Sequence, residues 1–132
     1  MRKLLRELGY DLAHSRNSDE TIAQVVRHPE AAVFVAAEGL EVIGYVALSH
    51  RPQMRLGGRL ASVDELVVSE PRRGAGVGSA LLDAAIAHAR SLYCVRIEVE
   101  QQRVRDSYTQ RFYQHRGFTE VDAALLRIDL TE

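Results

Sequence analysis

The chain contains a glycine-rich loop, RRGAGVGS, between an apolar segment with the composition of a strand and its most regular helical pattern. Three glycines in five residues, Gly74, Gly76 and Gly78, lower the stability of an ordinary helix start. A backbone without Cβ atoms can approach a ligand closely, and amide groups at a helix N-terminus attract anions. The loop therefore predicts a phosphate-binding site, to which Arg72 and Arg73 add positive charge. A plain strand-to-helix turn is the alternative.

Two common nucleotide motifs fit this loop poorly. A P-loop needs Lys and then Ser or Thr after its last glycine, whereas Ser79 and Ala80 follow Gly78. A dinucleotide-binding fingerprint needs a later third glycine and a large doubly wound domain. A nucleotide-binding regulator is therefore a weak alternative.

The hydrophobic pattern predicts strands interleaved with helices, with adjacent strands near both ends. Such an order favours a mixed sheet covered by helices over a purely parallel one. The predicted helices span residues 4–8, 17–28 (capped by Ser18), 79–92 and 106–116 (capped by Asp106), and the predicted strands span 32–37, 41–49, 60–68, 95–99, 118–121 and 125–130.

Composition excludes several classes of protein. The 132 residues suit one domain, and 46% apolar and 27% charged residues with a net charge of -1 indicate a globular chain. Without a basic excess we expect no nucleic-acid partner. No apolar run reaches the roughly 20 residues that cross a membrane. The single cysteine, Cys94, fits a reducing compartment, so we expect a cytoplasmic protein.

Two segments together resemble one family. Arg73, Gly76 and Gly78 fit the pattern Arg/Gln-x-x-Gly-x-Gly/Ala, and residues 111–118, RFYQHRGF, fit Phe/Leu-Tyr-x-x-x-Gly-Phe. In this order and at this separation they resemble the motifs of the GCN5-related N-acetyltransferase superfamily. The resemblance extends roughly over residues 4–130.

The resemblance implies a single α/β domain over residues 1–132. Its sheet is mixed and mostly antiparallel, with about six strands and about four helices, and its cleft lies between the family's fourth and fifth strands. The family normally begins with a strand, whereas this chain begins inside the first helix. The sheet edge left open could pair with a second copy in a homodimer. Asp106 stands where the family often has a cofactor-binding Asn, a contact that a carboxylate cannot reproduce.

The chemistry implied by the resemblance needs a base. An alkylammonium has a pKa near 10.4, so an amine must lose a proton before it attacks a thioester. Asp64 and Glu65 lie near the end of the predicted strand 60–68, where a carboxylate could accept this proton directly or through water. Alternation places them on opposite faces, so only one should enter the cleft. We predict Glu65, with Asp64 as the alternative. Alternatively, these acids are exposed or form salt bridges and have no role in catalysis.

Tyr113 matches the family's usual proton donor to the departing CoA thiolate, although a packing aromatic is the alternative. A backbone amide in the same strand as Glu65 would polarise the thioester carbonyl. The cofactor-binding residues implied by the resemblance are Leu66, Val67, Val68, Arg73, Gly74, Ala75, Gly76, Val77, Gly78 and Ser79.

The sequence therefore predicts an N-acetyltransferase that moves an acetyl group from acetyl-CoA to a primary amine. We expect no covalent enzyme intermediate, because Cys94 lies outside both motifs. No metal-ligand spacing is present, so we predict no metal. The acceptor stays open, although the first two helices and the loop over residues 51–59 are expected to contribute to its site. A non-catalytic acyl-CoA-binding or sensing domain is the alternative from another class.

Overall fold

The computed structural model describes residues 19–131, so the helix predicted over residues 4–8 and the Ser18 cap lie outside the described residues. The chain forms two compact units, one ending at Glu100 and the other beginning at Gln101. The elements, in chain order, are α1 (Asp19–Arg27), β1 (Ala31–Glu38), β2 (Glu41–Gln53), β3 (Gly58–Val68), a 3₁₀ turn (Glu70–Arg72), α2 (Val77–Ser91), β4 (Cys94–Val99), α3 (Asp106–Thr109) and a second 3₁₀ turn (Gln114–Arg116).

The first unit contains one mixed sheet with the strand order β1-β2-β3-β4. The β1–β2 and β2–β3 pairs are antiparallel, and β3 and β4 are parallel. The predicted α/β class with a mixed, mostly antiparallel sheet is therefore confirmed. Within residues 19–131 the sheet has four strands and the chain has three α-helices, fewer than the six and four expected.

The second unit, from Gln101 onward, accounts for the two missing strands. Residues 118–121 and 125–130 form neither strand nor helix. Their apolar pattern suits a strand, but Leu126, Ile128 and Leu130 are exposed. A strand also needs a neighbour that supplies backbone hydrogen bonds, and within the described chain these segments pair with none.

The helix predicted from Asp106 is also shorter than expected. Asp106 is the first helical residue and Arg105 precedes it as the N-cap, so the predicted Asp106 cap is wrong. The α-helix ends at Thr109, and Arg111 has a φ of 57°, which an α-helix cannot accommodate. A 3₁₀ turn follows and ends at Gly117 with a φ of 99°, as the glycine predicted.

The core of the first unit is centred on β2 and includes the interface between the sheet and α2. Strand β2 is buried along most of its length, and α2 buries one stripe of small and branched apolar side chains. The buried apolar residues of this unit are Ile43, Tyr45, Val46, Ala47, Leu48, Leu60, Ala61, Val63, Val67, Leu81, Leu82, Ala85 and Ala89.

The two hairpin turns differ slightly from the predicted ones. Gly39, with a φ of 59°, and Leu40 connect β1 to β2, one residue later than predicted. Much of the predicted loop over residues 51–59 is strand, because β2 continues to Gln53 and β3 begins at Gly58. His50, just before the predicted loop, is a buried strand residue, and burial lowers the pKa of its imidazole.

At Gly44, side chains of α2 pack closely against the backbone of β2. A Cβ atom at this position would lie 3.0 Å from the carbonyl oxygen of Val67 and 3.1 Å from Leu81 Cδ1. We expect Gly44→Ala to lower the free energy of unfolding by about 1–3 kcal/mol, because a backbone atom must shift to make room. Urea denaturation measures this change.

Gly58→Ala is a useful comparison, since a Cβ there would lie 2.7 Å from Val95 Cγ1, a side-chain atom. Adding Val95→Ala should recover the stability lost in Gly58→Ala. For Gly44→Ala, an unchanged urea midpoint would contradict the close contact of this position with Val67 and Leu81.

Candidate active site

The glycine loop lies between the end of β3 and the start of α2. Gly74 and Gly76 have φ values of 84° and 85°, in the left-handed region that side chains other than glycine rarely adopt. Gly76 is the N-cap of α2, and it has no side chain to accept a hydrogen bond from the first helical amides. A Cβ at either glycine would have no atom within 4 Å, so this backbone faces open space.

The N-terminus of α2 supplies hydrogen-bond donors beside this open space. The first intrahelical bond runs from the Ala80 amide to the Gly76 carbonyl, 3.1 Å away. Because the first amides of a helix have no intrahelical acceptor, those of Val77, Gly78 and Ser79 can donate to a ligand. An open glycine backbone beside these amides fits an anionic group such as a phosphate.

The two arginines before the loop have different partners. Arg72 forms a two-pronged ion pair with Glu38: Nε donates to Oε1 at 2.8 Å and Nη2 to Oε2 at 2.6 Å. Arg73 Nε donates to the carbonyl oxygen of Val68 at 3.1 Å. The charge predicted from Arg72 is therefore paired with a carboxylate. Sequence reasoning missed Glu38, since no motif links residues 34 positions apart.

The sheet opens next to the loop. Strand β3 pairs with β4 only from Arg59 to Val63, opposite Cys94–Val99. Beyond Val63, the rest of β3 pairs with β2 alone among the described residues. The opening therefore lies along residues 64–68, which include the predicted cofactor-binding residues Leu66, Val67 and Val68.

A β-bulge marks the start of this opening. Ala47 pairs with Glu65 and Leu48 pairs with Val63, so Asp64 is an extra residue in β3. Strict alternation therefore does not hold here, and the prediction that Asp64 and Glu65 point to opposite faces lacks its basis.

The register places Glu65 on one face of the sheet. Gly44 marks the face covered by α2, because a Cβ there would contact Leu81 and Val77. Ala47, three residues further along β2, is on the other face, and its partner Glu65 shares that face. The carboxylate thus lies on the side of the sheet away from α2.

Glu65 is also the acid with the more protected position. Its side chain is half-buried, whereas Asp64 is exposed. Burial raises the pKa of the Glu65 carboxyl, and the nearby negative charge of Asp64 raises it further. A carboxylate with a raised pKa is a stronger base, which suits proton abstraction near neutral pH.

Tyr113 belongs to the second unit and is buried there beside two aromatic rings. Phe112 and Phe118 contact it edge to face, with ring centroids 5.0 and 5.6 Å away. Burial raises the pKa of its phenol to about 12. The ring is thus fixed by packing, and its hydroxyl stays protonated at any ordinary pH.

Three further acidic or aromatic residues, which could also have been considered for catalysis, have ordinary surroundings. Glu98 is exposed in β4, Glu100 follows that strand, and Tyr108 lies in the short α3. In residues 19–131 no group of three or more His, Cys, Asp or Glu side chains is arranged to hold a metal ion. None of the helices described is long and apolar enough to cross a membrane.

A mixed sheet that opens beside a glycine loop, with a half-buried carboxylate at the opening, is the arrangement expected of an acyltransferase domain. The model of the acetyltransferase (GNAT) family matches residues 1–118. The chain belongs to this family, which confirms the resemblance found in the two motifs.

Solved structures share the fold. An acetyltransferase from Trypanosoma brucei is 25% identical, with a TM-score of 0.76 over 97% of this chain and 89% of that one. An aminoglycoside acetyltransferase from an uncultured soil metagenomic sample is 19% identical (TM-score 0.84; 98% and 86% covered). A ribosomal-protein-alanine N-acetyltransferase from Brucella melitensis is 20% identical, with a TM-score of 0.72 over 96% of this chain and 89% of that one. No curated protein matches the chain significantly.

Proposed function

We propose that this protein transfers an acetyl group from acetyl-CoA directly to a primary amine, with Glu65 as the base. The observation that carries the proposal is the position of Glu65, half-buried at the bulge where β3 leaves β4. Its raised pKa suits the removal of a proton from an ammonium group whose own pKa is near 10.4. Asp64, next to it and exposed, adds negative charge that would attract the cationic amine.

The loop and the open part of β3 supply the groups that would hold acetyl-CoA. The amides of Val77, Gly78 and Ser79 would bind the pyrophosphate, with Arg73, Gly74, Ala75 and Gly76 forming the rest of the loop. The backbone of Leu66, Val67 and Val68 would pair with the pantetheine arm, and an amide there would polarise the carbonyl. Acetyl-CoA supplies the thioester-activated acetyl group.

An alkylammonium gives up two protons on becoming an amide. Glu65 would accept the proton whose loss frees the nitrogen for attack and pass it to solvent, and the second proton, released from the nitrogen as the thioester bond breaks, would end on the departing sulfur. A thiol has a pKa near 8.5, and the Tyr113 phenol has a pKa of about 12. Full transfer from Tyr113 would therefore be uphill by about 5 kcal/mol. We infer that Tyr113 acts first as a hydrogen-bond donor to the sulfur, and that the buried phenol remains protonated for this purpose.

The acceptor is not decided by the fold. Structures similar to this chain include an aminoglycoside acetyltransferase and a ribosomal-protein-alanine N-acetyltransferase, whose acceptors differ widely. The loop over residues 51–59 is predicted to help bind the acceptor. The turn in it precedes the first residue of β3, whereas Glu65 lies near the last residue of that strand. At about 3.3 Å per residue, Gly57 lies about 25 Å along the chain from Glu65, which argues against a direct role for this turn.

A non-catalytic acyl-CoA sensor is the second candidate, because it would need the same loop. Thermal-shift measurements with acetyl-CoA, CoA, ATP and NAD separate the binding classes. We expect stabilisation by both CoA species and none by ATP or NAD.

An amine panel that reads free thiol then separates enzyme from sensor. Acetyl-CoA-dependent thiol release with at least one amine supports transfer, whereas binding without release for every amine would favour the sensor. No stabilisation by either CoA species would contradict the proposal itself.

The state of assembly and the compartment remain predictions. In residues 19–131, β1 has one neighbouring strand, so its other edge could pair with a second copy. A homodimer would fit this edge, and the expected cytoplasmic location rests on the single cysteine, Cys94.

A further inference from the structure

We propose that Glu38 is a positioning residue for the cofactor loop: it binds Arg72 and thereby fixes the backbone that leads into Gly74 and Gly76. The inference rests on the proposed binding of acetyl-CoA at this loop. It assigns Arg72 to the scaffold rather than to the phosphates, although Arg72 directly precedes the arginine of the family motif.

The geometry of the pair is the first support. Two separate hydrogen bonds, of 2.8 and 2.6 Å, join one guanidinium edge to both carboxylate oxygens. Such a fork fixes orientation as well as distance, unlike a single contact to a lysine. Glu38 is the last residue of β1, so Arg72 is tied to a strand of the sheet.

The Glu38–Arg72 pair anchors to β1 a part of the segment that the neighbouring backbone hydrogen bonds do not connect to the sheet. The Ser69 amide donates to the Ile43 carbonyl at 2.8 Å, and the Arg72 amide donates to the Ser69 carbonyl at 2.9 Å. The first bond connects the start of the segment to β2, and the second closes the turn within the segment. The Glu38–Arg72 pair connects its end to β1, two residues before Gly74 adopts a φ of 84°.

The charges around Arg72 also argue against a phosphate ligand. The hydrogen bond from Arg72 lowers the pKa of the Glu38 carboxyl, and Glu38 with a smaller contribution from Glu41 raises the pKa of the Arg72 guanidinium. Both partners are thus charged at neutral pH. A phosphate approaching Arg72 would meet two carboxylates, at Glu38 and Glu41, on the same hairpin.

The two possible roles of Arg72 predict opposite signs for one substitution. If Arg72 bound phosphate, Glu38→Gln would free it and remove a negative charge, so CoA would bind more tightly. If Glu38 positions the loop, Glu38→Gln weakens CoA binding, and Arg72→Gln weakens it to the same extent.

The test uses the full chain and measures CoA binding by calorimetry, together with KM for acetyl-CoA and kcat. We expect Glu38→Gln and Arg72→Gln each to raise Kd and KM by about two- to fivefold, the range of a well-formed exposed pair. The double variant should be no weaker than either single one, because both changes break the same contact. Since the reacting groups are untouched, kcat should stay within about twofold.

Glu41→Gln is the matched control: it removes one negative charge from the same hairpin without breaking the fork, and CoA binding should stay close to that of the wild type. Tighter binding in Glu38→Gln, additive losses in the double variant, or unchanged binding in both single variants would each overturn the positioning role. A wild-type chain that binds no CoA would overturn the proposed function as well, so the two failures are distinguishable.

Discussion

Glu65→Gln should lower kcat at neutral pH by about 100-fold, the lower end of the range for loss of a general base. The glutamine side chain keeps nearly the same shape but cannot accept a proton from the amine. The wild-type rate should rise with pH as the Glu65 carboxyl loses its proton. Because burial and Asp64 raise its pKa, this rise should occur above the usual range of a glutamate. A pH series of both kcat and kcat/KM, read by thiol release, measures the two effects.

The loss in Glu65→Gln should also shrink as the pH approaches the pKa of the amine, because more of the acceptor is then already neutral. Asp64→Asn is the comparison. It removes the charge that contributes to the raised pKa of Glu65, so the rise in rate should move to lower pH with a similar plateau. A plateau lost in Asp64→Asn and kept in Glu65→Gln would make Asp64 the base.

Tyr113→Phe should lower kcat by about 10- to 100-fold while leaving the Kd of CoA nearly unchanged. Phenylalanine preserves the edge-to-face contacts with Phe112 and Phe118 but has no hydroxyl to donate to the departing sulfur. Since the Tyr113 pKa is about 12, its ionisation should cause no loss of wild-type activity below that pH. Single-turnover rates and calorimetry separate the two quantities.

Tyr108→Phe is the matched control, because Tyr108 lies in the same unit but outside the family motif. Its kcat should stay near that of the wild type. An equal loss in both variants, or an unchanged kcat in Tyr113→Phe, would contradict the assignment of Tyr113.

The elements that the sequence predicted well are those with strong local patterns. The helix expected over residues 79–92 is observed as Val77–Ser91, and the strand expected over 60–68 is observed as Gly58–Val68. In both, the spacing of apolar residues and the adjacent glycines limit the backbone to one conformation. The two strands predicted within residues 118–130 are not observed, because an apolar strand pattern does not specify a neighbour with which to pair.

The residues of the candidate site also differ in whether a local sequence pattern predicts their position. Gly74 and Gly76 could be predicted, since their spacing before a helix is a local feature, and both have the positive φ values that only glycine adopts easily. The face of Glu65 could not be predicted, because the extra residue at Asp64 is visible only in the pairing of β3 with β2. The partner of Arg72 was missed for a related reason: Glu38 is distant in sequence.

The sequence by itself determined the family and the glycine loop before α2, because both depend on short motifs of fixed spacing. The tertiary structure alone decided which face Glu65 occupies, where β3 and β4 separate, and that Arg72 is bound by a carboxylate. These features depend on strand register and on contacts between distant segments. Register and distant contacts are set by packing the whole sheet, so no local pattern specifies them.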